Sequence, residues 1–257
     1  MTPETARITT YLERRHDMLL SVGAPWPLHR DLELHLLSIG VKHDPFSLQL
    51  LKDGLSAIAF YMVSRPRFDT FGWTISLQDP PLNLFVTGSA ADSTVVGRVF
   101  SGNVQPAPRG LFIVQTVRPR GEPQTSSVEV DGVDIFAMLE HYTEKSDQQP
   151  VRFFHEEEGR VLQVASLPDA DHEWLRRIQG PEAFELLETG DLKLLSEHAV
   201  TFRCGCDRDR ILHIVRDLYK GSADDLFLGD PSVEAECPRC GTKHLLTRED
   251  FLASGGG

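Results

Sequence analysis

Phe202-Arg-Cys-Gly-Cys-Asp-Arg-Asp-Arg-Ile211, answered downstream by Glu234-Ala-Glu-Cys-Pro-Arg-Cys-Gly241, holds every cysteine of the 257-residue chain. The thiols form a C-x-C pair, Cys204 and Cys206, and a C-x-x-C pair, Cys237 and Cys240, with 30 residues between the pairs. Four sulfurs in two close pairs suit one tetrahedral Zn2+, which takes four thiolates at about 2.3 Å. The same thiols can also close two short-range disulfides. A permanent structural knuckle and a redox-active centre are therefore both open from the spacing. Gly205 puts two sulfurs on a flexible link, where a disulfide closes with some strain, and strained disulfides are the labile, regulatory kind. A segment this small has little core, so metal binding would supply much of its folding free energy.

Outside this segment the composition is that of an ordinary globular protein, 40% hydrophobic and 25% charged. The net charge of −12 argues against broad nucleic-acid binding and against an anionic membrane surface. Residues 200–257 carry 8 Lys+Arg against 10 Asp+Glu, a net −2, whereas many DNA-binding zinc modules are basic. The N-terminus has no signal-peptide pattern, and the apolar stretch 55–63 is too short to span a bilayer. The expectation is a cytoplasmic protein, in which clustered cysteines serve as metal ligands or redox centres.

The pattern along the chain predicts an α+β fold: a larger N-terminal α+β domain over 1–167, a helical linker over 168–199 and a small four-cysteine domain over 200–257. Residues 3–20 and 31–39 read as helical. The strongest helix signal is 45–64, with Asp44 as N-cap, Pro45 at the first helical position, and Leu48, Leu51, Leu55, Ile58 and Met62 at helical spacing. Gly54 is its weak point. Short β-branched or aromatic runs follow at 73–78, 82–87, 95–100, 111–117 and 126–130, separated by Pro and Gly clusters. Residues 134–145 read as a helix. Residues 151–154 and 160–167 read as a hairpin with His155-Glu-Glu-Glu-Gly159 at its turn. The 168–199 connector is polar and helix-prone, with Asp171 as a cap and sparse apolar residues, so it needs a partner surface to be stable. Ser254-Gly-Gly-Gly257 reads as a disordered end.

The two cysteine stretches quoted above resemble the redox-regulated holdase chaperones of the HslO family, the thirty-three-kilodalton heat-shock proteins. Asp207-Arg208-Asp209 matches the family's run after the second cysteine, and Thr247-Arg-Glu-Asp-Phe251 is similar to its closing segment. More faintly, the 45–65 helix leading to Ile75-Ser-Leu-Gln78, and Tyr142-Thr-Glu-Lys-Ser-Asp-Gln148, resemble family segments in order and spacing. The chain departs from the family at Asp79-Pro-Pro, where a Gly-rich segment is usual, and at His244, where an aromatic is usual. The resemblance implies a non-enzymatic, ATP-independent chaperone. In its reduced form Cys204, Cys206, Cys237 and Cys240 would hold one Zn2+ and the protein would be inactive and monomeric. Oxidation would form Cys204–Cys206 and Cys237–Cys240 disulfides, release zinc, unfold the linker, promote a homodimer and expose a surface for unfolding client proteins. Phe184, Leu187, Leu192 and Leu195 are the linker residues that would join that surface.

Other clusters carry blander readings. Asp169, Asp171, His172 and Glu173 lack a second histidine at helical spacing and read as a capped, acidic helix start. His244, four residues after Cys240, is a conceivable extra ligand, and His198 and His213 read as surface or packing residues. No nucleotide-binding glycine motif or serine elbow occurs. Two further functions compete with the chaperone: an adaptor with a permanent zinc knuckle, and a metal-dependent enzyme. The enzyme is the weakest, because four cysteines fill every position that a catalytic zinc would keep open.

Overall fold

Asp44 starts the longest helix of the protein, as its position before Pro45 requires. In the computed structural model, which describes residues 4–102, 104 and 108–253, its carboxylate accepts from the backbone N–H groups of Phe46 and Ser47. The helix, α2 (Pro45–Val63), buries most of its length from Leu50 to Met62. It lies on strands β4 (Leu82–Ser89) and β5 (Thr94–Phe100). Gly54 has a reason invisible in the sequence: a Cβ there would stand 2.8 Å from Leu84 Cδ2. Opposite it, a Cβ on Gly97 would stand 2.5 Å from Val86 Cγ1. Two missing side chains let helix and sheet approach closely.

The chain divides into two compact units, Met1–Arg203 and Cys204–Gly257. The first is built on a ten-stranded sheet in the order β7-β6-β3-β4-β5-β10-β1-β2-β9-β8. One half is antiparallel: β3 (Thr70–Leu77), β4 and β5 form a meander, and the hairpin of β6 (Gly110–Val117) and β7 (Gln124–Val130) crosses back to pair through β6 with β3. Strict alternation of buried and half-exposed residues along β3 places Phe71, Trp73, Ile75 and Leu77 inward. Trp73 meets Tyr61 and Phe112 edge-on, with ring centroids 5.3 Å and 5.1 Å apart. Helix α1 (Trp26–Ser38) packs on α2, and α3 (Ile135–Tyr142), capped by Asp134, runs into a π turn, Thr143–Asp147.

The other half holds β1 (Ala6–Glu13), β2 (Met18–Gly23), β8 (Val151–His155) and β9 (Val161–Ser166). Here the helix expected over 3–20 is corrected to a β-hairpin. Ala6, Ile8 and Thr10 alternate inward along β1, and the run Ile-Thr-Thr-Tyr is β-branched and aromatic. The predicted hairpin of β8 and β9 forms, with Arg160 paired to Glu156 at its turn.

The connector is helical only in part. Helices α4 (His172–Arg177) and α5 (Gly180–Thr189) form, but residues 192–199, expected to be helix-prone, belong to strand β10 (Leu192–Phe202). β10 pairs antiparallel with β1 along Leu192–Val200 and parallel with β5 at Thr201 and Phe202. It thereby joins the two halves of the sheet, and the need of β1 for a partner overrides local helix propensity. Among the described residues no helix is long and apolar enough to cross a membrane. The predicted disordered end, 254–257, lies outside the described residues.

Candidate metal centre

The second unit has a small core of its own: Ile211, Leu212, Ala223, Phe227, Leu246 and Phe251. Its elements are α6 (Arg208–Leu218), α7 (Ala223–Phe227), the hairpin β11 (Ser232–Glu236) and β12 (Lys243–Thr247), and α8 (Arg248–Ala253). Phe227 meets Phe251 edge-on at 5.6 Å.

Cys204 and Cys206 lie in the loop entering α6. Gly205 between them is left-handed, with φ +63°, a conformation that glycine adopts without strain. Asp207 caps α6 by accepting from Arg210 N–H at 2.7 Å. The Arg210 guanidinium reaches back and donates to the Gly205 carbonyl at 3.0 Å. Cys237 and Cys240 form the turn of the β11–β12 hairpin. There Gly241 N–H donates to the Cys237 carbonyl at 2.9 Å, and Cys237 N–H donates to the Thr242 carbonyl at 2.8 Å. Gly241 takes φ +80°. Arg208 ties the two halves of the unit together, donating to the Leu245 carbonyl at 3.0 Å and pairing with Asp250.

These loops bring all four Sγ atoms within 4.8 Å of one another. Two close contacts run between the motifs: Cys204 to Cys237 at 3.6 Å and Cys206 to Cys240 at 3.5 Å. Four thiolates around one ion at 2.3 Å would stand about 3.8 Å apart, so the donor set fits a tetrahedral metal. Cys237 and Cys240 are buried, while Cys204 and Cys206 are half-buried.

Without a cation this arrangement opposes ionisation. Hydrogen bonds with Cys237 and Cys240, then burial, push the Cys204 thiol up. Burial, then the hydrogen bond with Cys240, pushes Cys206 up to about 12. A divalent cation reverses that logic, since it stabilises the clustered charge that the bare site resists. A four-sulfur set selects a thiophilic metal over calcium or magnesium.

Among the described residues the four cysteines are the one group of three or more His, Cys, Asp or Glu side chains close enough to share an ion. His244 sits on β12 opposite Ala235, outside that group. Asp171 caps α4, accepting from Glu173 and Trp174 N–H, as its sequence position indicated. His213 is exposed on α6. The roles of Arg208 and Arg210 escaped the sequence reading. Their only signal was the Asp207-Arg-Asp-Arg210 run, and the carbonyls they reach are named by the fold alone.

The linker candidates divide. Phe184, Leu187 and Leu192 are half-buried against a cluster of Met18, Leu20, Phe154, Leu162, Val164, Leu175, Ile178 and Ala183. Leu195 is already exposed, at 47%. It falls where the β1–β10 register shifts, between the pairs Thr10–Ser196 and Tyr11–Leu194, so it faces no partner residue on β1.

An α+β unit followed by a four-thiol module at the C-terminus defines the class of protein: a two-unit chain whose smaller part is organised around clustered cysteines. The family model described as Hsp33 protein matches residues 154–247, spanning α4, α5, β10 and the cysteine module. The chain is 27% identical over 214 residues to a 33 kDa chaperonin of Pectobacterium carotovorum, covering 70% of this chain and 74% of that one. It is 28% identical over 217 residues to a 33 kDa chaperonin of Streptococcus mutans, covering 71% and 73%. The crystal structure of the 33 kDa chaperonin of Thermotoga maritima shares the fold, with a TM-score of 0.70 at 14% identity, over 97% of this chain and 98% of that one. The chain is thus similar to Hsp33 proteins in sequence over its C-terminal part and shares the fold of one of them.

Proposed function

We propose that this protein is an ATP-independent holdase chaperone switched on by oxidation, located in the cytoplasm, and not an enzyme. The observation that carries the reading is the convergence of Cys204, Cys206, Cys237 and Cys240 in a separate compact unit with a small core. In the reduced state these four thiolates would hold one Zn2+. Bound zinc would neutralise the clustered sulfurs and lend its binding free energy to the folding of residues 204–253.

On oxidation, two pairs of thiols would each form one S–S bond. Each pair surrenders two electrons to an oxidant such as hypochlorite, which is reduced to chloride and water. The expected pairs are Cys204–Cys206 and Cys237–Cys240, and all four sulfurs are mutually close enough for this exchange after small movements. A sulfur in a disulfide no longer carries thiolate charge, so the unit would lose its ion and much of its stability. The connector 168–199 would follow. It comprises two short helices and one strand that holds β1 and β5 together. Its release would uncover the apolar cluster under α4 and α5, giving unfolding clients a surface. The same surface would support a homodimer in the oxidised state.

The test is to oxidise reduced, zinc-loaded protein with hypochlorite. A chromogenic chelator follows the metal, and light scattering follows a heat-denaturing client. One zinc released per chain together with new suppression of aggregation is expected. Retained zinc with no suppression would refute the switch and leave a permanent knuckle.

A further inference from the structure

A second site lies in the first unit, in a cleft of about 640 Å³. Its walls come from the end of α2 and the residues after it, the paired ends of β6 and β7, and the π turn that follows α3. That turn includes part of the 142–148 stretch, to which the redox reading gives no role. Part of the wall is braced internally. Tyr61 Oη–H donates to Asp147 Oδ2 at 3.0 Å, Arg65 pairs with the same oxygen, and the Ser126 and Tyr142 hydroxyls stand 2.6 Å apart. Arg65 also lies over the Tyr61 ring, 4.4 Å from its centroid.

Two charged groups are left incompletely matched. Asp69 is 6% exposed, and its nearest cation is Arg118, with Nε 4.0 Å from Oδ2, beyond hydrogen-bond reach. Among the described residues no donor hydrogen-bonds to the Asp69 carboxylate, and its oxygens are not among the buried unpartnered atoms, so they open on the cleft. Arg118 is 54% exposed by side chain and, among the described residues, makes no closer ion pair. Arg65 Nε is buried without a hydrogen-bond partner. The local backbone is also unusual, with a π turn at Thr143–Asp147 and Gln148 left-handed at φ 55°. Such features concentrate where a fold presents side chains to a ligand.

The charges of the cleft sum to zero, Arg65 and Arg118 against Asp69 and Asp147. A simple ion of either sign would be attracted by one member of the loose pair and repelled by the other. A dipolar ligand laid antiparallel to the Asp69–Arg118 pair gains from both. An ammonium brings three donors to the carboxylate, and a carboxylate accepts two parallel N–H bonds from a guanidinium. We propose that this cleft binds a small α-amino zwitterion of up to dipeptide size, its ammonium on Asp69 and its carboxylate on Arg118. Thr116 and Thr125 line the same cleft and supply hydroxyls for the remaining polar atoms. The volume lies in the range of small-molecule sites and exceeds the needs of a single ion. The site is independent of the cysteines and of the redox reading.

The experiment is calorimetric titration of the full reduced chain with L-alanyl-L-alanine, with its N-acetylated and C-amidated forms, and with inorganic phosphate. Saturable one-to-one binding is expected. Blocking either end of the dipeptide, or substituting Arg118→Gln or Asp69→Asn, should weaken it about tenfold or more, the scale of a lost charge-assisted hydrogen bond. Amide shifts should concentrate at residues 61–71, 116–126 and 142–147. No saturable binding, equal binding of the blocked dipeptides, or tighter binding of phosphate would overturn the proposal. Arg118 is largely exposed, so its variant decides the matter even if the Asp69 variant folds poorly.

Discussion

Leu175→Ala should open the connector without any oxidant. Leu175 is 2% exposed and Ile178 1%, and with Ala183 they are the fully buried anchors of α4 and α5 on β2, β8 and β9. The two helices have 6 and 10 residues, too short to persist unsupported. Their docking therefore rests on these anchors and on half-buried Trp174, which stacks on His16 with centroids 4.1 Å apart. Truncating a buried leucine to alanine costs about 3 kcal/mol, the lost transfer free energy plus a cavity. If that cost falls on local opening, the open population of 172–190 rises by about a hundredfold. Hydrogen exchange read by mass spectrometry should show faster exchange in 172–190 while the β3–β4 amides keep theirs. In the chaperone reading, the reduced variant should also suppress client aggregation while retaining its zinc. Unchanged exchange in 172–190 would refute the docking argument. Faster exchange there without holdase activity would refute the assignment of client binding to the surface under the connector.

Further outcomes are expected from single substitutions. Cys240→Ser should abolish zinc retention and unfold residues 204–253, while the first unit keeps its circular-dichroism melt; a single shared transition would contradict the separateness of the two units. Asp44→Ala removes the acceptor of two α2 N–H bonds and should cost about 1 kcal/mol in urea unfolding; no change in midpoint would contradict the cap. Burial pushes the Asp53 carboxyl up to about 6, above its ordinary 3.8. The folded state then holds that proton more tightly than the unfolded chain, so the contribution is full below pH ~4 and declines as pH rises through ~6. Asp53→Asn should therefore gain about 1 kcal/mol over the native chain at pH 7, discounted for the carboxyl's partial exposure, and nothing at pH 4. His29, pushed down to about 4 chiefly by burial, titrates with the opposite sign in an overlapping window, so the variant must be read as a difference from the native chain. Gly54→Ala should destabilise despite alanine's better helix propensity, because its Cβ meets Leu84; a higher melting temperature would show that Leu84 moves aside freely.

Much of the first unit could be read from the chain alone. Helix α2 carries both an N-cap and a helical apolar period, and the strands that follow stand out as short β-branched or aromatic runs between Pro and Gly breaks. The errors lie where pairing partners are remote. β1 and β10 are 179 residues apart from Glu13 to Leu192, yet they pair with each other. Residues 3–20 show leucines at near-helical spacing, and only pairing with β10 and β2 makes Ile8 and Thr10 inward-facing strand residues.

For the cysteine module, sequence determined the candidate donors, their number and the thiophilic class of metal they would suit, because thiolate chemistry follows from residue type and short spacing. Tertiary structure decided that the two pairs converge within 4.8 Å, that Arg208 and Arg210 brace them, and that close sulfur contacts cross between motifs. It also decided that Gly54 is a packing requirement and that Asp69 and Arg118 face one cleft. Local signals act over a few residues through backbone dihedrals and side-chain period. Strand partners, close approaches and loosely matched charges depend on segments far apart in the chain, and only folding brings those together.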